Sequence, residues 1–126
     1  MIKSLKLAIF DLDLTLWNGH TLYENTVDIL KKLKENNIDL YIASYHLQAK
    51  RCCDVLGIAD YFSGIHFGRD RNKAAMVEDI LSNYTNYHLS QIAFFDDNFN
   101  NILDVKNKHK IKTVHVVGGI TWPDLN

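Results

Sequence analysis

The chain has 126 residues, 47% of them hydrophobic and 23% charged, which suits one domain (1–126) burying roughly two thirds of its unfolded surface around a single core. Its 14 basic and 15 acidic residues leave a formal net charge of −1, which argues against dedicated nucleic-acid binding, and no apolar stretch approaches the roughly 18 residues of a membrane span. Met1 to Lys6 carries no signal-like apolar segment, and the adjacent Cys52 and Cys53 read as free thiols, so a soluble, cytoplasmic protein is expected, with a monomer favoured.

Taken in chain order, the run Leu7-Ala8-Ile9-Phe10 predicts a strand covered on both faces, ending in Asp11 and, two residues on, Asp13. Asn18-Gly19 predicts a tight hairpin, hence a small β-flap beside these carboxylates. Asn25 is placed to cap a helix with the apolar stripe Val27, Leu30 and Leu33, closed by Asn36-Asn37. A second strand over 38–43 delivers Ser44, and a helix over 46–56 stops at Gly57. A short strand over 63–67 follows. Gly68 and Asn72 then introduce a helix carrying Val77, Ile80, Leu81 and Tyr84 at helical spacing, with Lys73 in its first turn. A lysine there opposes the helix dipole, so it answers some other charge. The fourth strand, over 91–95, ends in Asp96-Asp97; a helix through Ile102, Leu103 and Val105 and a fifth strand over 113–117 complete the alternation. The lysines of 31–34 and 106–110 read as solvated helix faces.

Strands alternating with helices predict an α/β fold: a Rossmann-like three-layer sandwich with a central parallel sheet of about five strands. Carboxyl ends in such a sheet share one edge, so Asp11, Asp13, Ser44, Asp96 and Asp97 converge there, with Lys73 nearby. Four carboxylates in one crevice repel each other, and an oxygen-only donor set selects a hard divalent cation, Mg²⁺ first. A magnesium ion, a lysine and a serine together suggest phosphoryl chemistry. Lysine neutralises the phosphate, serine donates a hydrogen bond, one carboxylate attacks phosphorus, and the carboxylate two residues on moves the proton. The short spans from Asp11 to Ser44 and from Ser44 to Lys73 leave room for a flap and helices but for no cap domain.

The pattern Phe10-Asp11-Leu12-Asp13-Leu14-Thr15-Leu16, a serine after the second strand, a lysine at a later helix start and Phe95-Asp96-Asp97 resembles the four motifs of the haloacid dehalogenase-like superfamily of phosphatases. Trp17, Ala43-Ser44, Phe94-Phe95-Asp96-Asp97 and Asn101-Ile102 further resemble its capless, magnesium-dependent phosphatase branch. That resemblance implies a phosphoaspartyl mechanism. Asp11 would be nucleophile and metal ligand, Asp13 general acid/base and a ligand through its backbone carbonyl, and Asp96 the third protein ligand. Ser44 and Lys73 would hold the phosphoryl oxygens, with Thr15, Asp97 and Asn101 in support. The chain departs from the branch at Tyr45, where relatives often carry an arginine after the serine.

An open, capless site accepts bulky phosphomonoesters, so the expected substrate is a small phosphometabolite, phosphotyrosine or another phosphomonoester. Trp17, His20, Tyr45 and His46 are the candidate substrate contacts. The alternative function is a catalytically weak phosphate- and Mg²⁺-binding module, or a receiver-like signalling domain. Receivers, however, place their acidic pair early and lack the Asp-x-Asp acid.

Overall fold

In the computed structural model, which describes residues 1–126, the five strands form at Leu7–Phe10 (β1), Asp39–Ser44 (β2), Gly64–Phe67 (β3), Ile92–Asp96 (β4) and Lys112–His115 (β5). Helices Thr26–Glu35 (α1), Ala49–Val55 (α2), Lys73–Leu81 (α3) and Phe99–His109 (α4) alternate with them. The strands pair in parallel in the order β3-β2-β1-β4-β5. Side chains alternate across the sheet, as the twofold repeat of a strand requires. Ala8, Phe10, Ala93 and Phe95 face Ile29, Leu30 and Leu33 of α1 and Cys53 of α2, whereas Leu7, Ile9, Ile92 and Phe94 face Met76, Val77 and Ile80 of α3 and Ile102 and Val105 of α4. The result is the expected three-layer Rossmann-like sandwich, and no cap domain stands over the sheet's carboxyl edge.

The order reverses between β1 and β4, the place where parallel sheets open a crevice for ligands. Register there is fixed by packing. Phe10 lies opposite Phe95, their rings stacked with centroids 4.7 Å apart. Both are fully buried, and each contributes about 2–3 kcal/mol on removal from water. The Asp11 N–H then bonds to the Phe95 carbonyl at 2.9 Å, so the first residue past β1 sits beside the last residue of β4, Asp96.

Several local expectations shift, each for a stated reason. α2 begins at Ala49 rather than at 46, because Ser44 Oγ takes the His46 N–H and His46 Nδ1 takes the Gln48 N–H, diverting donors from a helical turn. Gly57, with φ +74°, ends that segment as predicted. Asn25 precedes α1 but makes no side-chain cap; the neighbouring Thr26 hydroxyl instead donates to the Leu16 carbonyl at 2.8 Å, tying the loop after β1 to the helix. The flap is minimal. Asn18 Oδ1 accepts the His20 and Thr21 N–H groups, the Asn18 N–H bonds to Thr21 O, and only Trp17 and Leu22 bridge across. β5 ends two residues before the predicted boundary: the Val116 N–H takes the carbonyl of Asp96, where β4 ends, and Val117 points to solvent.

Candidate active site

Asp11 leaves β1 as a buried residue, 7% exposed, and Asp96 ends β4 with no exposure at all. Lys73 comes from across the crevice. Asn72 caps α3 by accepting the Ala75 N–H at 2.9 Å, which fixes the helix start, and the Lys73 side chain runs inward until only 1% of the residue is exposed. Its Nζ donates to Asp11 Oδ1 and to Asp96 Oδ2, each at 2.8 Å. Tyr45, following β2, holds the same residue from behind: its hydroxyl accepts the Lys73 N–H at 3.0 Å, and its ring centroid lies 5.1 Å from Nζ. Tyr45, expected as a substrate contact, is thereby also the tie between β2 and the lysine.

Asp96 is the most fully gripped carboxylate. Besides Lys73, it accepts the Asn98 N–H at 2.9 Å and the Asn101 side-chain amide at 3.1 Å. Asn98 also caps α4 by accepting the Asn100 and Asn101 N–H groups, so one residue fixes both the helix start and the carboxylate. Its signal was in the sequence, an asparagine ahead of a helical stripe. Thr15, fully buried, directs its hydroxyl to Asp11 Oδ2 at 3.4 Å, while its carbonyl accepts the Ile120 N–H, tying the loop after β1 to the chain beyond β5.

Asp13 has different surroundings. It is half-buried, and its Oδ1 accepts the Trp17 Nε1–H at 2.7 Å. Directly after Asp13, Leu14 is 50% exposed with φ +61°, a left-handed backbone that costs a non-glycine residue on the order of 1 kcal/mol. Nothing in the sequence marks it.

Asp11, Asp13, Ser44, Tyr45, Lys73, Asp96, Asp97 and Asn101 line one cavity of ≈ 170 Å³ at the switch point, with Leu14 and Asn98 completing it. The oxygens of Asp11, Asp96 and Asp97 lie within 4.8 Å of one another. One ammonium faces these three carboxylates. Burial, reinforced by the charge of Asp96, pushes Asp11 up to about 8 despite Lys73, and burial likewise raises Asp97. Lys73 itself is held above its ordinary range, because the charges of Asp11 and Asp96 outweigh the lowering effect of its burial. The carboxylates are thus under-compensated, and their all-oxygen donor set fits a hard divalent cation. The Asp13 carboxylate is not part of this trio; the backbone carbonyl was the atom expected of it.

The remaining candidates sit further out. His46 and Tyr45 border an adjoining hollow with Asp13, Leu47 and Arg69. Trp17 and His20 flank a separate depression against α2, with Arg51, Cys52 and Val55, so His20 does not face the acidic cavity. Cys52 and Cys53 are free thiols, and no helix is long and apolar enough to cross a membrane.

Known structures share this architecture. A haloacid dehalogenase-like family hydrolase from Streptococcus pneumoniae superposes with a TM-score of 0.76 over 97% of this chain and 90% of its own, at 15% identity. The cobalt-bound deoxy-D-mannose-octulosonate 8-phosphate phosphatase of Haemophilus influenzae gives 0.66 over 98% and 86%, at 15% identity. The N-terminal part of a Bacteroides fragilis protein containing a phosphatase domain, complexed with Mg, gives 0.68 over 86% of this chain and 35% of that one, at 22% identity. Such identities speak for the fold alone. No curated relative matches the chain significantly. The sequence pattern of the haloacid dehalogenase-like hydrolases, however, matches residues 13–103, most of the alternating strands and helices from Asp13 to the middle of α4. The chain belongs to the haloacid dehalogenase-like hydrolase family.

Proposed function

We propose that the protein is a Mg²⁺-dependent phosphomonoester hydrolase of the capless magnesium-dependent phosphatase branch, acting as one domain through a phosphoaspartyl intermediate. The observation that carries this reading is the placement of Lys73 Nζ 2.8 Å from both Asp11 and Asp96 at the switch point of the sheet, with Asp13 at the mouth of the same cavity. The early Asp-x-Asp and late Asp96-Asp97 favour it over a receiver-like module.

Asp11, Asp96 and the backbone carbonyl of Asp13 would hold the ion, with Asp97 beside them. Bound there, Mg²⁺ supplies positive charge that relieves the carboxylates and polarises the phosphoryl oxygens. The residues do the rest. Lys73 and the Ser44 hydroxyl bind the phosphoryl group and orient it toward Asp11. A carboxylate oxygen of Asp11 forms a bond to phosphorus while the ester P–O bond breaks, and Asp13 gives its proton to the departing oxygen. In the second half Asp13 takes a proton from water, whose oxygen bonds to phosphorus as the bond to Asp11 breaks. Inorganic phosphate leaves, and both aspartates return to their starting states. Thr15 and Asn101 keep Asp11 and Asp96 in place.

Hydrolysis of p-nitrophenyl phosphate in Mg²⁺ tests the reading. Turnover should vanish in excess chelator, return with Mg²⁺ and recover poorly with Ca²⁺, whose larger and looser coordination disturbs in-line attack. Full turnover in chelator would overturn it.

A further inference from the structure

Beyond Asp13 and Tyr45 the acidic cavity adjoins a second hollow of ≈ 210 Å³, lined by Asp13, Tyr45, His46, Leu47 and Arg69. Asp13 and Tyr45 border both. On the phosphatase reading, on which this inference rests, the oxygen that Asp13 protonates must leave on the Asp13 side, so the second hollow receives the leaving group.

The charges around it are uneven. Arg71, in the same loop between β3 and α3, is paired with Asp79 on α3. Arg69 makes no salt bridge and is exposed at the hollow's edge. The neighbouring Asp70 carboxylate lies against Gly68 instead. His46 is already committed: its Nδ1 accepts the Gln48 N–H at 2.9 Å, and its Nε2 lies 3.7 Å from Cys52 Sγ. Lys73 is taken up by Asp11 and Asp96. Arg69 therefore borders the leaving-group side of the site with its charge unpaired, and exposed Leu47 forms an apolar wall. A guanidinium presents paired donors that match a carboxylate or a phosphate. Both hollows are smaller than the roughly 300 Å³ at which drug-sized pockets begin, which fits a phosphoryl group in one and a short leaving group in the other.

We infer that Arg69 is a specificity-determining residue that reads a second anionic group, so that the preferred substrates are short phosphomonoesters whose alcohol portion carries a carboxylate or another phosphate. The test compares kcat/KM for 2-hydroxyethyl phosphate, phosphoglycolate and ethylene glycol bisphosphate, which share a two-carbon leaving group and differ in its charge. The protein should prefer at least one anionic probe over the neutral one by about ten- to a hundredfold, the effect of one charged hydrogen-bonded pair. In Arg69→Gln that preference should collapse toward unity, mainly through KM, and Arg69→Lys should restore part of it. Whichever anionic probe leads tells a carboxylate from a phosphate. A protein without preference for either anionic probe, or a preference that survives in Arg69→Gln, would overturn the inference. Failure to hydrolyse any of the three, or p-nitrophenyl phosphate, would instead overturn the phosphatase reading beneath it.

Discussion

Asp11 and Asp13 stand two residues apart on one loop, yet they occupy opposite kinds of environment. Asp11 is buried, bonded to Lys73, crowded by Asp96 and pushed up to about 8; Asp13 is half-buried at the cavity mouth and accepts a hydrogen bond from an indole. A strand end explains the difference. Asp11 still follows the β1 ladder through its N–H bond to Phe95, so its side chain stays in the crevice beside β4. Past Asp13, Leu14 with its left-handed backbone turns the chain back, the Leu14 N–H closes onto the Trp17 carbonyl, and the Trp17 indole is brought to the Asp13 carboxylate. On the proposed mechanism two like residues thereby suit separate tasks: one is fixed among charges that a cation would balance, and the other stands where a proton would be exchanged with a leaving group or water.

The inner half of this comparison breaks most completely at Lys73. Lys73→Ala removes the one ammonium between two buried carboxylates, and turnover should fall by about three orders of magnitude or more, with weaker phosphate binding. Losing one partner of a buried ion network also costs up to about 3–5 kcal/mol, part of which added Mg²⁺ should restore by supplying the missing charge. Urea unfolding with and without Mg²⁺ measures this. Near-normal kinetics in the variant would make Lys73 a structural counter-ion only.

The outer half breaks at Asp13. Asp13→Asn keeps an oxygen for the Trp17 N–H but can neither give nor take a proton. An aryl phosphate expels a stable anion and needs little acid, whereas the aspartyl phosphate on Asp11 still needs a base. Rapid quench of Asp13→Asn should therefore show a burst approaching one p-nitrophenolate per site, then turnover slowed by about 10²- to 10⁴-fold. Asp11→Asn should show no burst. Equal slowing of aryl and alkyl phosphates, without a burst, would move the proton-transfer role to another residue.

A smaller effect separates the two environments without mutation. The folded Asp11 lies well above its unfolded value of 3.8, at about 8, so between those values the folded protein holds a proton that the unfolded chain has released. Stability in chelator should therefore decrease as pH rises from about 4 to about 8, by on the order of a few kcal/mol, and level off above that. Asp97, raised in the same direction, adds to the slope. Lys73, also raised, contributes a dependence of the same sign, but its loss begins only above its ordinary value of 10.5. Mg²⁺ competes with the proton and should flatten the curve. Urea midpoints across this range, in chelator and in Mg²⁺, check it; a chelator curve that rises with pH would contradict the buried placement of Asp11.

The same contrast governs what the sequence disclosed. Asp11, Ser44 and Asp96 were legible because continuously apolar runs announce buried parallel strands, and parallel strands deliver whatever follows them to one edge. Lys73 was legible as a charge in the wrong half of a helix dipole. The loops were harder. His46 looked helical because nothing in the periodicity records that its own ring and Ser44 take up the first donors of that turn. His20 looked adjacent to the site because a hairpin folds back, but the single Trp17–Leu22 bridge leaves it facing α2. Arg69 carried no pattern at all: its meaning comes from Arg71 being paired and itself not. Strand registers follow periodicity, whereas the rim follows individual side-chain hydrogen bonds that composition does not encode.

Trp17 sharpens the comparison with the smallest expected effect, since its indole N–H reaches the site only through Asp13. Its Nε1–H holds Asp13 Oδ1 at 2.7 Å, and Trp17→Phe keeps an aromatic ring while deleting that donor. A hydrogen bond to a charged acceptor is worth about 1.5–3 kcal/mol when fully buried, but Asp13 is half-exposed and water replaces much of it. The expected cost is therefore a three- to tenfold fall in kcat, and it should depend on the leaving group. Alkyl phosphates need Asp13 in both halves of the reaction and should lose more. The first release of p-nitrophenolate, which precedes the step that needs Asp13, should keep its rate. Equal losses for alkyl and aryl substrates, accompanied by a lower melting temperature, would show that Trp17 merely packs the loop after β1, and that Asp13 keeps its place through the turn at Leu14 instead.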